Sequence, residues 1–269
     1  MFENITIGQY YPGRSFVHRL DPRTKINSVV VIIVAVFLAR QGAAYLIMSG
    51  FLAAIVLNAR IPVRYLAKGL RPILFIGSLT FMIHLFITSG TVIIQLGPLS
   101  ITEEGLQQGS FLVWRLVMLV LTTSMLTLTT PPVTLTDGIE SVLKPYKRIG
   151  VPAHELAMMM TIALRFIPTL IEETGKIMKA QMARGADFES GNIFQRARNL
   201  IPLLVPLFVS AFRRADDLAV AMEARCYQGG EKRTRLKQLA YQRIDAYGYL
   251  IVLVAAGLVI WLRYTGGLS

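Results

Sequence analysis

Five apolar runs, at residues 26–39, 43–57, 72–88, 111–130 and 247–262, constrain this chain more than any other feature. A backbone in hydrocarbon has no water to bond, so a spanning segment must satisfy its polar groups as a helix or inside a closed barrel. These runs lack the strict alternation of barrel strands and predict membrane helices. With 54% hydrophobic residues and a mean hydropathy of +0.52 over 269 residues, the chain is too apolar for an ordinary soluble domain. The first two runs are short for a span of about 20 residues, so Asn27, Arg40 and Asn58 are expected to extend them into the interfaces. Arg40-Gln41-Gly42 reads as a tight hairpin between them.

Charge orients the runs. The formal net charge is +12, and apolar plus strongly basic implies a membrane protein with one cationic side facing anionic lipid or an acidic partner. Arg19, Arg23 and Lys25 gather before the first run, which puts the N-terminus in the cytoplasm. Those first 25 residues are polar and turn-rich, and no cleavable signal is expected. Residues 90–108 hold Glu103 and Glu104 and no lysine or arginine, which places them outside; Val92–Thr102 reads as a small hairpin or extended loop around Gly97-Pro98. Residues 133–243 hold seventeen of the 28 lysines and arginines and are therefore cytoplasmic, and the last run carries the chain out again. Ile61–Arg71, with Arg64, Lys68 and Arg71 after Arg60, reads as an interfacial helix, and Pro72 opens the third span. Arg115 is expected to snorkel from the fourth.

The cytoplasmic block predicts a helix at about 134–148, with Thr134, Thr136 and Asp137 as cap candidates. Two long helices follow, from Pro152 to about Arg184 and, after a Gly191-Asn192 break, from about Phe194 to Tyr227. Each would reach roughly 50 Å at 1.5 Å per residue. Pro168, Pro202 and Pro206 should kink them or mark joins. Both close on one phrase, A-x-x-A-R: Ala180 to Arg184 before Gly185, and Ala221 to Arg225 before Cys226. An arginine there complements the helix dipole, and glycine is the usual left-handed stop. Each could equally project into a partner's pocket, and the repetition favours paired docking arginines. Glu172, Glu173 and Lys176, with Arg213, Arg214, Asp216 and Asp217, could lace two helices or one helix surface. Met158, Met159, Met160 and Met178 suit either a surface accepting unlike partners or ordinary core packing.

Several stretches resemble the transmembrane T component of energy-coupling factor (ECF) vitamin transporters. They are Glu155–Met158, Ala163–Leu170, Ala183–Asp187, Arg214–Ala219 and Ala221–Arg225, and the likeness covers most of the chain. The family often carries glycine after the second arginine, where this chain has Cys226. The resemblance implies a scaffold subunit of an ABC-type importer in a prokaryotic cell membrane. Arg184 and Arg225, with Ala183, Gly185, Ala224 and Cys226 around them, would dock two cytoplasmic ATPase subunits. A small membrane-embedded substrate-binding S component, one of several interchangeable ones, would sit on the other face of the long helices, where Met158, Met159, Met160 and Met178 are its contact candidates. ATP would be bound and hydrolysed by the partners, with no cofactor on this chain.

No catalytic constellation is evident. His154-Glu155-Leu156-Ala157-Met158 misses the zinc motif H-E-x-x-H because Met158 replaces the second ligand. No phosphate-binding G-x-x-x-x-G-K-[ST] loop is present, Cys226 is the sole cysteine, and the cations are not interleaved with a nucleic-acid module. A conventional ABC permease lining its own pore would carry polar groups at mid-membrane, where only Thr122-Thr123-Ser124 stands. An integral membrane enzyme would need convergent carboxylates or histidines near the interface. The expected architecture is all-α: residues 1–130 form four spans, 131–243 a cytoplasmic module of three helices, and 244–269 the last span. Its two long helices are expected to cross on their alanine-lined faces.

Overall fold

The computed structural model describes residues 10–39, 42–96, 99–188, 190, 192–227, 229 and 239–265. It is helical throughout apart from one hairpin: α1 (Phe16–Arg19), α2 (Pro22–Leu38), α3 (Gly42–Ala59), α4 (Val63–Ile87), β1 (Val92–Leu96), β2 (Leu99–Thr102), α5 (Glu103–Thr129), α6 (Pro132–Leu143), α7 (Ala153–Ala183), α8 (Ile193–Ala224) and α9 (Arg243–Thr265). A 3-10 turn over Lys144–Ile149 follows α6. The expected turns at Arg40-Gln41 and Gly97-Pro98, and Gly191 of the expected break, lie outside the described residues. The chain divides into two compact units, residues 8–139 with 239–269 and residues 140–238.

Five helices among the described residues are long and apolar enough to cross a membrane: α3, α4, α5, α7 and α9. The number equals the expected one, but the membership differs. At 17 residues α2 is at the short limit for a span, whereas α7, at 31 residues, holds a stretch long and apolar enough to cross. A second difference concerns Ile61–Arg71. It is no separate interfacial helix, because α4 runs unbroken from Val63 to Ile87 with Pro72 inside it. A proline removes one backbone donor and crowds the carbonyl four residues back, a local cost that 25 residues of helix absorb.

In the unit of residues 8–139 and 239–269, α2, α3, α5 and α9 close around Ile32, Val36, Met48, Leu52, Met118, Val252 and Val259. A smaller cluster joins Ala59 and Ile61 to Leu66 of α4 and to Met125 and Leu128 of α5. Along α4 and α5 small residues allow close approach: a Cβ on Gly77 would stand 3.4 Å from Val113, and one on Gly105 only 2.7 Å from the His84 carbonyl oxygen. The hairpin pairs Leu96 with Leu99 and Ile94 with Ile101, with a bulge between Val92 and Ile94. Thr102 then caps α5, its hydroxyl accepting from the Gly105 N–H.

Two polar ties hold this unit. At one end Asp245, buried at the start of α9, accepts from the Asp21 N–H at 2.7 Å and the Gln242 N–H at 2.7 Å. Asp21 in turn caps α2 through the Arg23 N–H, and the Arg23 guanidinium lies over the Tyr241 ring. Nearby, buried Lys25 donates to the Thr129 carbonyl at 2.9 Å and to the Thr130 hydroxyl at 3.1 Å. The other tie is Arg115, which donates to the Tyr45 hydroxyl at 2.7 Å and the Ala39 carbonyl at 3.3 Å, locking α5 to the α2–α3 corner.

Candidate coupling surface

In residues 140–238, α6 ends in the 3-10 turn, and Gly150 and Pro152 lead into α7. The cap expectation for α6 fails: the helix begins at Pro132, and the Thr134 and Thr136 hydroxyls donate back to the carbonyls of Pro131 and Val133 instead of capping. The two long helices match their expected limits within a few residues, and at 31 and 32 residues they rise about 46 and 48 Å.

Three contacts fix how they meet. Arg214 of α8 donates to Glu173 of α7 at 2.7 Å, so these charges lace two helices. Gln181 of α7 approaches the Pro202 carbonyl of α8 at 3.5 Å. Because Pro206 has no N–H, that carbonyl lost its helical partner, and the Gln181 amide supplies a weak replacement. Beyond the end of α8, the Tyr227 hydroxyl stands 3.1 Å from Met158 Sδ and 3.4 Å from His154 Nε2 at the start of α7. Residue numbers rise on one helix as they fall on the other, so the helices are antiparallel. The alanine faces do not meet. Ala180, Ala183, Ala221 and Ala224 are exposed, because antiparallel pairing puts the two phrases at opposite ends of the pair.

Each phrase closes its helix in the same way. After α7, Arg184 is the C-cap, Gly185 takes φ 86°, its N–H reaches the Met182 carbonyl, and the Ala186 N–H reaches the Gln181 carbonyl. After α8, Cys226 takes φ 54°, its N–H reaches the Glu223 carbonyl, and the Tyr227 N–H reaches the Met222 carbonyl. Both are Schellman closures, and the bonds that satisfy the end carbonyls come from the backbone. The arginine side chains are left over. Arg184 and Arg225 are exposed and form no ion pair among the described residues.

The methionines divide. Met158 and Met178 are half-buried, Met158 under Tyr227, while Met159 and Met160 are exposed. His154 is also taken: its Nδ1 donates to Glu140 at 3.1 Å, a carboxylate being an acceptor only. The sequence reading missed this Glu140–His154–Tyr227 chain. Its sole signal was an isolated histidine beside a helix start.

The cobalt transport protein (CbiQ) family matches residues 13–236. The chain belongs to this family. Its curated relatives include energy-coupling factor transporter transmembrane proteins EcfT. That of Thermosediminibacter oceani is 60% identical over 255 residues, 95% of either chain. That of Acidaminococcus fermentans is 53% identical over 98% of either chain. The Bacillus subtilis protein is 50% identical over 98% of this chain and 100% of its own. This chain is thus a multi-pass protein of the family of transporter transmembrane components, and the resemblance read from A-x-x-A-R and its neighbours holds over nearly the full length.

Proposed function

We propose that this chain is the coupling scaffold of an energy-coupling factor importer for a vitamin or similar micronutrient. Arg184 and Arg225 each dock one ATPase subunit, and residues 140–238 pass the motion of the ATPases to a small membrane-embedded substrate-binding subunit. The observation that carries this reading is the pair of matched helix ends. Two Schellman closures, at opposite ends of one antiparallel pair, each present an exposed arginine that the helix does not need. Guanidinium suits such a joint, being permanently charged and forming several directed hydrogen bonds. An antiparallel pair also separates its two C-terminal ends by nearly a helix length, so two subunits can be engaged at once. Exposed Met159 and Met160 belong to the substrate-subunit side. The chain is not itself catalytic in this scheme, and ATP binds to its partners.

The test is isolation. A tagged chain purified from its native membrane should bring ABC ATPase subunits and a small membrane protein in fixed ratio. Recovery of the chain alone, or of a complete transporter lacking any separate substrate-binding subunit, would overturn the scaffold reading.

A further inference from the structure

One face of α4 carries cations at one end and large apolar side chains along the rest. At 100° per residue, Arg64, Lys68 and Arg71 fall within an arc of about 60°, and Phe75, Leu79 and Met82 continue the same stripe for three further turns. All six are exposed: Phe75 is 75% accessible, and Leu79 and Met82 are each 55%. The opposite side of the helix is the packed one. Leu66 is buried there, and Gly69 and Gly77 face Ser124 and Val113 of α5. The stripe therefore points away from the helix that α4 packs on.

Arg64, Lys68 and Arg71 make no ion pair among the described residues, and no aspartate or glutamate occurs anywhere between Asp21 and Glu103. Their countercharge must come from outside this part of the chain. The dimensions say from where. From Arg71 to Met82 the helix rises about 16 Å, half of a hydrocarbon core about 30 Å thick. A stripe with its cations at one end and one leaflet's depth of apolar surface after them has the shape and polarity of a phospholipid lying along the helix.

We propose that this stripe is a binding site for an anionic phospholipid of the cytoplasmic leaflet. The headgroup phosphate sits among Arg64, Lys68 and Arg71, and an acyl chain runs over Phe75, Leu79 and Met82. Arginine and lysine together at about two turns' spacing hold a phosphate by charge-assisted hydrogen bonds, which a zwitterionic headgroup's own ammonium would oppose. The inference depends on the chain being a membrane protein with the Arg64 end of α4 inside, and stands apart from the coupling reading.

The test uses the full chain, purified and delipidated in detergent, with phosphatidylglycerol and phosphatidylcholine as probes and native mass spectrometry counting the lipid retained. The wild-type chain should prefer phosphatidylglycerol by about tenfold. Arg64→Gln/Lys68→Gln/Arg71→Gln should lose that preference, Arg64→Lys/Arg71→Lys should keep most of it, and Lys144→Gln/Lys176→Gln should leave it unchanged. Equal retention of the two lipids by the wild type would overturn the proposal even if the triple variant failed to fold. Undiminished phosphatidylglycerol binding by the triple variant would also overturn it. So would unchanged lipid binding coupled with loss of a copurifying protein, which would make the stripe a protein-docking face.

Discussion

In residues 8–139 and 239–269, Val36, Met48 and Val259 are sealed from solvent among four helices, and even charged Asp21, Lys25 and Asp245 are buried and bonded. In residues 140–238, the 32 residues of α8 bury Leu203 and leave Phe194, Phe208 and Phe212 exposed at 86%, 60% and 69%. The first unit seals a core of its own, although Leu46, Leu57, Phe75 and Trp261 stay exposed around it for the bilayer to cover. The second is a helix pair whose apolar face greatly exceeds what a free-standing surface carries, and its form presupposes cover by membrane or partner. Substitutions should therefore act on stability in the first unit and on assembly in the second.

The largest stability effect is expected at Asp245. Asp245→Ala strands the Asp21 and Gln242 N–H groups in a buried site and should cost about 3 kcal/mol, read as a lowered melting temperature of the purified chain in detergent. A change under about 0.5 kcal/mol would mean that water replaces the carboxylate and that the node is not a tie.

Glycines give the next contrast. Gly105→Ala would drive a methyl to within 2.7 Å of the His84 carbonyl oxygen and should cost about 1–3 kcal/mol. Gly175→Ala, in the open middle of α7 with nothing within 4 Å, should instead stabilise by about 0.5–1 kcal/mol. Opposite signs under the same denaturation assay support the comparison, and equal signs would break it.

The smallest effect concerns the helix ends. Cys226→Gly places at φ 54° the residue that the matching closure already uses at φ 86°, and should stabilise by a few tenths of a kcal/mol to about 1 kcal/mol. Transport should stay as it was. Lost transport in a folded Cys226→Gly chain would make the thiol, and not the closure, the functional feature.

What the sequence made legible was local. The limits of α7 and α8 followed from Pro152, Gly185 and the A-x-x-A-R phrase, because helix stops are written in the few residues that make them. The matching closure of the second end was not legible, because Cys226 stands where glycine is usual and only the structure shows it taking the left-handed turn at φ 54°. What stayed hidden was distant or contextual. The Asp21–Asp245 bond joins residues 224 apart, and no periodicity announces it. The partners of Arg115, the Tyr45 hydroxyl and the Ala39 carbonyl, lie 70 and 76 residues away in the chain. Pro72 was read as a helix start because prolines usually are, yet α4 passes through it. The alanine phrases suggested a mutual contact, which antiparallel pairing forbids.

The central claim is that Arg184 and Arg225 are separate joints to two ATPase subunits. The direct measurement is substrate uptake per ATP hydrolysed by the assembled transporter in vesicles, comparing wild type with Arg184→Glu, Arg225→Glu, their combination, and the control pair Lys144→Glu/Lys176→Glu. An exposed helix-end charge contributes only about 0.3–1 kcal/mol to its own helix, so every variant should fold and insert. Reversing a buried interfacial arginine costs about 2–5 kcal/mol, and each 1.4 kcal/mol is tenfold. Each single reversal should therefore cut assembly or coupled uptake at least about tenfold, the double reversal should cut it further, and the control pair should remain near wild type. Normal coupled uptake by the double variant, or an equal loss in the control pair, would contradict the account and leave the two arginines as helix-end cations.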